Sequence, residues 1–385
     1  MPLHSAPRNF RHQMLREIYE QPAAIMRTLE HYLDMTGEVP QFREGRLRAV
    51  AELFRRHPDL IIAASGSSRH AGLAAEILLE DLGGLVVDVE YASEYACRST
   101  AQRRHPDNPN PVMVLSQSGE TADTLAALRE AARRGHPTIA VTNVHGSTMA
   151  REANVELDTL AGVELAIPAT KSFTTQLTMM LVLALLAARE RGTMSRESIE
   201  TLLIGLAGVP QSIEAQLPMW ERTIDALAPL YADAQNFLYL GRGVHYAIAR
   251  EGALKMKESS YLHAEGYPTG ELKHGPNALV SAQVPLVVLA TVDEDDPESM
   301  LRYEKTVSLL YDMREQGARV LAQANAGDTT IASLATHTIW IEPVCESLLP
   351  ILEVVPLQLF AYCMAVHHGV DVDRPRNLTK AVTTE

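Results

Sequence analysis

The chain has 385 residues, of which 46% are hydrophobic and 21% charged, and its formal net charge is −14. This length favours two domains of roughly 150 residues each, and the composition excludes a disordered chain. The acidic balance argues against general binding to nucleic acid or to anionic membranes, but it is compatible with a local site for a phosphorylated ligand.

Cysteines and apolar runs narrow the class of protein further. The three cysteines, Cys97, Cys345 and Cys363, have neither metal-ligand spacing nor the pattern of a disulfide framework, so we expect a cytoplasmic protein. The N-terminal residues lack the apolar segment of a secretory signal. The longest apolar run, residues 179–188, is too short to span a bilayer and indicates a buried helix.

The predicted elements begin with a helical lead-in, in which Pro22 marks either a helix start or a kink. From about residue 50, short apolar strands (DLIIAAS, LVVDVEYA, PVMVLSQ, PTIAVTN) alternate with helices such as ADTLAALREAARRG, which we expect to end at Gly135. This alternation predicts a parallel sheet with helices on both faces.

The second half of the chain repeats this layout. Residues 236–258, NFLYLGRGVHYAIAREGALKMKE, match residues 59–81, DLIIAASGSSRHAGLAAEILLED. VPLVVLATVDED likewise matches NPVMVLSQSGET, and ARVLAQANA matches PTIAVTN. We therefore predict two copies of one α/β domain. The predicted bounds are a lead-in at 1–45, a first domain at 46–190, a helical connector at 191–228, a second domain at 229–370 and a tail at 371–385.

Two loops of the first copy combine hydroxyl side chains with glycine where a strand meets a helix. In such a sheet, ligands bind beyond the carboxyl ends of the strands, where helix N-termini present backbone N–H groups. Small polar residues there suit a phosphate, although Ser and Thr are also common helix caps. The second copy has acidic residues in place of Ser-Gln-Ser-Gly-Glu-Thr, so we expect the anion site in the first copy. The candidate residues are Ser67, Ser68, Ser116, Gln117, Ser118, Gly119 and Thr121.

The densest polar stretch of the second copy is EGALKMKESSYLHAEGYPTGELKHGP. Glu251, Lys255 and Glu258 are spaced to share one helical face, which alone is most often a solvated ion-pair stripe. His274 follows in a loop rich in glycine and proline. The last residues, DVDRPRNLTKAVTTE, predict no regular structure.

Taken together, these motifs resemble the sugar isomerase (SIS) superfamily, and within it the isomerase portion of glucosamine-6-phosphate synthases. The resemblance rests on LSQSGETADTL, TKSFTTQL, LGRG, EGALKMKE, GELKHGP, VPLQLFAY and RPRNLTKAVTTE, and it covers nearly the whole chain. It implies two tandem SIS domains, each a flavodoxin-like three-layer α-β-α sandwich with a parallel sheet. It implies neither a cofactor nor a metal.

The resemblance also implies roles for individual residues. Glu258 matches the base that moves a proton between C1 and C2, and His274 matches a ring-opening group that comes from the partner of a homodimer with shared sites. Lys380 matches a lysine that forms a Schiff base with the ketose. The supporting catalytic positions are Glu251, Lys255 and Arg376. Ser68, Ser116, Gln117, Ser118 and Thr121 match phosphate-binding positions, and Ile167, Ala169 and Thr379 lie beside the expected sugar site.

The sequence departs from the synthase pattern in three places. Ala169 stands where those enzymes generally have serine, and Thr379 stands where they have alanine. The glutaminase domain with its N-terminal cysteine nucleophile does not precede the SIS portion in this sequence. We therefore expect a deaminase that converts glucosamine 6-phosphate and water to fructose 6-phosphate and ammonia.

Three alternatives stay open. One is an aminating enzyme that uses free ammonia or a separate glutaminase. The second is an enzyme for a related amino-sugar phosphate, such as galactosamine 6-phosphate or fructosamine 6-phosphate. The third is a sugar-phosphate sensor without catalysis, which the presence of Glu258, His274 and Lys380 argues against.

Overall fold

Two five-stranded parallel sheets form the centres of two units in the computed structural model, which describes residues 9–98 and 109–383. The first unit comprises residues 23–164, 171–207 and 379–383. The second comprises residues 9–22, 165–170 and 208–378. Each unit therefore combines segments that are far apart along the chain, whereas the predicted domain bounds follow chain order.

The strands of the first unit are short and mostly buried, as the apolar runs predict. Its sheet contains β3 (Asp59–Ala64), β4 (Val86–Tyr91), β5 (Val112–Ser116), β6 (Thr138–Thr142) and β7 (Val155–Asp158), while β1 (Leu33–Asp34) and β2 (Gln41–Phe42) form a separate antiparallel pair. The helices are α2 (Gln21–Tyr32), α3 (Glu44–Arg56), α4 (Gly66–Asp81), α5 (Ala92–Cys97), α6 (Ala122–Arg133), α7 (Thr148–Glu152) and α8 (Lys171–Arg191).

The second unit is built in the same way. Its strands are β8 (Asn236–Gly241), β9 (His263–Pro268), β10 (Leu286–Leu289), β11 (Val320–Asn325) and β12 (His337–Ile341). Its helices are α1 (Gln13–Tyr19), α10 (Val244–Ser260), α11 (Pro297–Glu315), α12 (Thr329–Leu334) and α13 (Leu349–His367), with short 3-10 helices at Thr269–His274, Pro276–Leu279 and Glu346–Leu348. Helix α9 (Arg196–Tyr231) contributes residues to both units.

The two sheets have the same strand order and the same register, which confirms the predicted duplication. The orders are β4-β3-β5-β6-β7 and β9-β8-β10-β11-β12, the 2-1-3-4-5 order of flavodoxin-like sheets. In the first sheet Ile61 pairs with Val112, and in the second Leu238 pairs with Leu286. The sequence repeat aligns Ile61 with Leu238 and Val112 with Leu286, so equivalent residues form equivalent pairs.

Two helices are long and apolar enough to cross a membrane by length and composition alone, namely α8 and the segment from Glu346 to His367. The hydropathic windows of both are almost entirely buried in the protein, at 100% and 94%. Helix α8 packs against α4, and α13 packs against α10. Both therefore serve as core helices, packed on α4 and α10, which contain several of the predicted site residues.

The local predictions at Pro22 and Gly135 have clear outcomes. Pro22 is the second residue of α2, where its missing N–H leaves no helical bond unmade, so it marks a helix start. Helix α6 ends at Arg133, and Gly135 follows with a φ of +82°, which glycine adopts without steric penalty.

Candidate active site

The loop after β5 brings four predicted residues of the first unit together. Ser116 Oγ accepts the N–H of Gly119 at 3.0 Å and lies 3.3 Å from Thr121 Oγ1. Ser118 Oγ accepts the N–H of Glu120 at 3.1 Å. Because a serine hydroxyl has one hydrogen besides its acceptor lone pairs, Ser116 and Ser118 can still donate to an anion.

Gly119 shapes this loop through its backbone. Its φ is +68°, and a Cβ atom at this position would overlap the side chain of Ser147. Asn143 donates its N–H to the carbonyl of Gln117 at 3.2 Å, which fixes the other side of the turn. The sequence motif therefore has a steric basis, because only glycine fits this turn without moving Ser147.

The residues that could have been simple helix caps do not act as caps in the described structure. Thr121 is the N-cap residue of α6, and Ser65 is that of α4, yet neither side chain makes a capping hydrogen bond. The Ala122 N–H at the start of α6 instead donates to the carbonyl of Val382 in the C-terminal tail, at 2.9 Å. A carbonyl of the tail thus accepts the hydrogen bond of one backbone N–H group at the N-terminus of α6.

The second hydroxyl loop lies at the start of α4. Ser68 is buried, and its Oγ accepts a hydrogen bond from Nε2 of Gln176 on α8 at 2.9 Å. Ser67 is half-buried in the preceding position. The strands β3 and β5 are neighbours in the sheet, so both hydroxyl loops lie at the same edge of the first unit.

The tail lysine has a buried partner that sequence reasoning missed. Lys380 Nζ lies 2.5 Å from a carboxylate oxygen of Glu164, which is fully buried. Ser172 also donates to Glu164 through its hydroxyl, at 2.7 Å, and its N–H, at 3.1 Å. Thr379 is exposed and donates to the carbonyl of Ala381. An isolated glutamate in GVELAIP gives no sequence signal of this kind.

In the second unit, α10 places Glu251, Lys255 and Glu258 in one ionic cluster. Lys255 is 1% exposed, and its Nζ lies 2.5 Å from Glu258 and 3.4 Å from Glu251. Burial alone would lower the pKa of the Lys255 amine, but the charges of Glu258 and Glu251 outweigh burial and raise the pKa above its ordinary range. The cluster is therefore not the solvated stripe that the spacing alone would favour.

Glu258 differs from its two partners in exposure. Its side chain is 22% exposed, whereas Glu251 is fully buried. Glu258 is thus a carboxylate that is oriented by a buried ammonium and still reaches the surface.

The remaining predicted residues of the second unit lie in three places. His274 is exposed at the end of the 3-10 helix Thr269–His274. The Arg376 guanidinium lies 4.3 Å from the ring centroid of Tyr261, whose hydroxyl also accepts the Arg376 N–H at 2.6 Å. Ile167 donates its N–H to the carbonyl of Asp373 at 3.0 Å, and Ala169 is half-buried in the same segment.

Comparison with known protein families agrees with the two α/β units described above. The SIS domain model matches the chain twice, at residues 52–186 and 230–368. The chain belongs to the SIS domain family. This confirms the resemblance and the fold class inferred from the sequence motifs.

Relatives of this SIS protein are named as isomerizing aminotransferases. This chain is 43% identical over 380 residues to glutamine–fructose-6-phosphate aminotransferase [isomerizing] of Gloeobacter violaceus, and 42% identical over 380 residues to the enzyme of the same name of Pseudomonas putida. Each match covers 98% of this chain but 59% of the relative, so the chain spans about three fifths of their length.

Solved structures show the same fold. The C-terminal domain of glucosamine-fructose-6-phosphate aminotransferase from Francisella tularensis has a TM-score of 0.86 and 31% identity, with 97% of this chain and 100% of that chain covered. A glucosamine-6-phosphate deaminase from Thermotoga maritima has a TM-score of 0.69 at 23% identity, with 96% and 99% covered, and it shows similarity of fold alone.

Proposed function

We propose that this SIS protein is a phosphosugar isomerase that deaminates glucosamine 6-phosphate, with water, to fructose 6-phosphate and ammonia. The observation that carries the proposal is the pair formed by Lys255 and Glu258: a partly exposed carboxylate fixed by a buried ammonium. Aldose–ketose conversion needs one group that removes a proton from one carbon and returns it to the next, and a positioned carboxylate serves this purpose.

The hydroxyl loops of the first unit would bind the phosphate group of the substrate. Ser116, Ser118 and Thr121 offer hydroxyl donors beside the N-terminus of α6, where the helix dipole favours an anion. A phosphate held in this way keeps the sugar in one orientation, so that proton transfer acts on C1 and C2 only.

Glu258 would remove the C2 proton of the open-chain amino aldose and return it to C1. The product of that step is the C2 imine of fructose 6-phosphate. The neutral amine of Lys380 would then attack C2 and expel ammonia, and water would hydrolyse the resulting lysine imine to the ketose. One water enters and one ammonia leaves, so the sequence balances the overall reaction.

Ring opening precedes proton transfer, because the cyclic sugar has no free carbonyl. His274, exposed on its 3-10 helix, is our candidate for this step. We propose that it acts on the site of a partner subunit, in a homodimer whose sites are shared.

The direction of the reaction has two candidates. The aminotransferase names of the 43% and 42% identical relatives favour amination, with ammonia supplied as the free molecule or by another protein. The protein named glucosamine-6-phosphate deaminase shares the fold over 99% of its own chain, and this likeness of fold is what supports the deamination direction. Galactosamine 6-phosphate and fructosamine 6-phosphate are the related substrates to be compared.

The deciding experiment supplies purified protein with glucosamine 6-phosphate and measures ammonia and fructose 6-phosphate. Equal amounts of both products support the proposal. Glu258→Gln should lose turnover by about 10²–10⁴-fold while it still binds sugar phosphate, because the change removes only the base. Synthesis of glucosamine 6-phosphate from glutamine by this chain alone would contradict the deaminase assignment.

A further inference from the structure

The second unit contains a carboxylate that is held by side chains in the manner of a bound ligand. The carboxylate of Glu346 accepts hydrogen bonds from Arg302 Nε at 2.9 Å and from Ser299 Oγ at 2.9 Å. Arg302 Nη2 donates to the second oxygen of the Glu346 carboxylate, so the arginine contact is bidentate. His245 Nε2 lies 3.3 Å from Oε1 of Glu346, and His245 is only 3% exposed.

These donors lie at the strand edge that corresponds to the hydroxyl loops of the first unit. The register match between β8 and β3 places His245 where the first copy has Ser68, one of the candidate phosphate-binding residues. Arg302 and Ser299 lie on α11, which follows β10 as α6 follows β5. The second copy therefore has donors to an anion where the first copy has its predicted phosphate loops.

The environment of Glu346 stabilises negative charge on it. Burial alone would raise the pKa of this carboxyl, but hydrogen bonds from His245 and Arg302 outweigh burial and hold the pKa at about 2. An arginine fork, a hydroxyl and a histidine around one carboxylate form the donor set that proteins use for carboxylate and phosphate ligands.

We propose that the second SIS copy contains an oxyanion-binding site, formed by Arg302, Ser299 and His245, which the chain fills with its own Glu346. The site takes a small carboxylate when Glu346 is removed. As long as Glu346 occupies it, this edge of the second unit is closed to a sugar phosphate, and the phosphate group of the substrate binds only at the hydroxyl loops of the first copy.

Acidic groups also face the site, and they limit the affinity expected for an added anion. Glu353 of α13 accepts from Nδ1 of His245 at 2.8 Å. Asp296 and Glu298 each lie 3.6 Å from the Arg302 guanidinium. Asp293 accepts the backbone N–H of Glu346 at 3.2 Å. We therefore expect an added carboxylate to bind at millimolar rather than micromolar concentration.

A cavity lies next to Glu346 along the chain. A cavity of about 810 Å³ is lined by Asp293 and by residues 343–345, which directly precede Glu346 along the chain. The Glu346 side chain is 13% exposed. Removal of that side chain therefore opens the donors towards solvent rather than leaving a sealed void.

The test is chemical rescue of Glu346→Ala by acetate, followed by thermal unfolding at matched ionic strength with chloride as the reference anion. The variant should unfold several degrees below the wild type in chloride, and acetate should restore a substantial part of that loss. The wild type should unfold at the same temperature in both anions. An equal unfolding temperature of Glu346→Ala in acetate and chloride would overturn the proposal.

Two further variants distinguish acetate binding at this site from effects of anions elsewhere on the protein. In the double variant Arg302→Ala with Glu346→Ala, the acetate response should disappear, and its persistence would assign the response to another site. Glu298→Ala removes a carboxylate that contacts Arg302 but is 78% exposed, so it should show no acetate response. If Glu346→Ala fails to fold, Glu346→Ser, which also leaves the donors uncovered, replaces it, and failure of both variants to fold in acetate as well as chloride overturns the proposal.

Discussion

The ammonium of Lys380 lies 2.5 Å from the carboxylate of Glu164, across 216 positions of the chain. The carboxylate is fully buried, and the lysine side chain is 26% exposed. The residue proposed to form an imine with the ketose is thus held as an ion pair in the absence of substrate. Imine formation requires a neutral amine, so this pair must open before Lys380 can react.

Glu164→Gln should free Lys380 from its ion pair and make the tail more accessible to protease. We expect trypsin to cleave after Lys380 about fivefold faster, which corresponds to loss of about 1 kcal/mol of pairing. Mass spectrometry of timed digests measures this rate. Glu346→Gln is the control, because it alters a largely covered carboxylate of the other copy, 13% exposed, and it should leave the rate unchanged.

Ser118→Ala should weaken substrate binding at the phosphate group. The change removes one hydroxyl donor to a dianion, a charge-assisted bond worth about 1.5–3 kcal/mol, so the Michaelis constant should rise on the order of tenfold or more. Steady-state kinetics with glucosamine 6-phosphate measure it. An unchanged Michaelis constant would remove Ser118 from the site.

Mixtures of His274→Ala and Glu258→Gln should recover activity if sites are shared between subunits. Each variant alone should be nearly inactive, and exchange of subunits should create mixed dimers with one intact site. The test is activity after exchange, with formation of the mixed dimer verified by native mass spectrometry. No recovery in verified mixed dimers would mean that each site is built from one chain.

Gly119→Ala should destabilise the protein more than Gly135→Ala. Both positions have positive φ, +68° and +82°, but an added Cβ overlaps Ser147 at Gly119 and meets nothing within 4 Å at Gly135. Positive φ costs a non-glycine residue of order 1 kcal/mol at either site, and overpacking adds about 1–3 kcal/mol at Gly119. Chemical denaturation of the two variants tests the difference, and equal losses would contradict it.

Stability should decrease with alkaline pH in a way that depends on His245. Burial alone would lower the pKa of this imidazole, but Glu353 and Glu346 outweigh burial and raise the pKa to about 10. A group with a raised folded-state pKa contributes stability that is complete below its unfolded pKa of about 6.5 and is lost as pH rises towards 10. Unfolding free energy should fall by up to about 1.4 kcal/mol per pH unit in this window.

His245→Gln should have a lower stability at pH 7 but a flatter pH dependence between pH 7 and 10. Its amide does not titrate, whereas the wild-type imidazole loses its proton in this range. Urea denaturation at several pH values measures both slopes. Parallel slopes in the two proteins would show that His245 does not carry the effect.

The duplicated parallel sheet could be predicted because it depends on local patterns. Strand and helix periodicity along each half, together with the match of residues 236–258 to 59–81, specify a duplicated parallel sheet, and the registers agree with that match. Gly119 was predictable for the same reason, since a glycine between a strand and a helix signals a tight turn.

The buried partners could not be predicted in this way. Glu164 and Lys380 are separated by 216 positions, and His245 and Glu353 by 108, so no spacing rule connects them. A glutamate in a sequence is by default a surface residue, and only tertiary packing shows that its charge is compensated. The pairing of residues that are distant in sequence therefore had to come from the structure.

The way in which the chain is divided between its two units also affects the order in which it can fold during synthesis. Helix α1 packs on α13, and its residues Met14 and Ile18 are fully buried, yet more than three hundred residues separate the two helices. At about 5–20 residues per second, the ribosome needs roughly 15–65 s to make that interval. The apolar face of α1 must remain exposed for this time, so we expect the nascent chain to depend on a chaperone until its last long helix emerges.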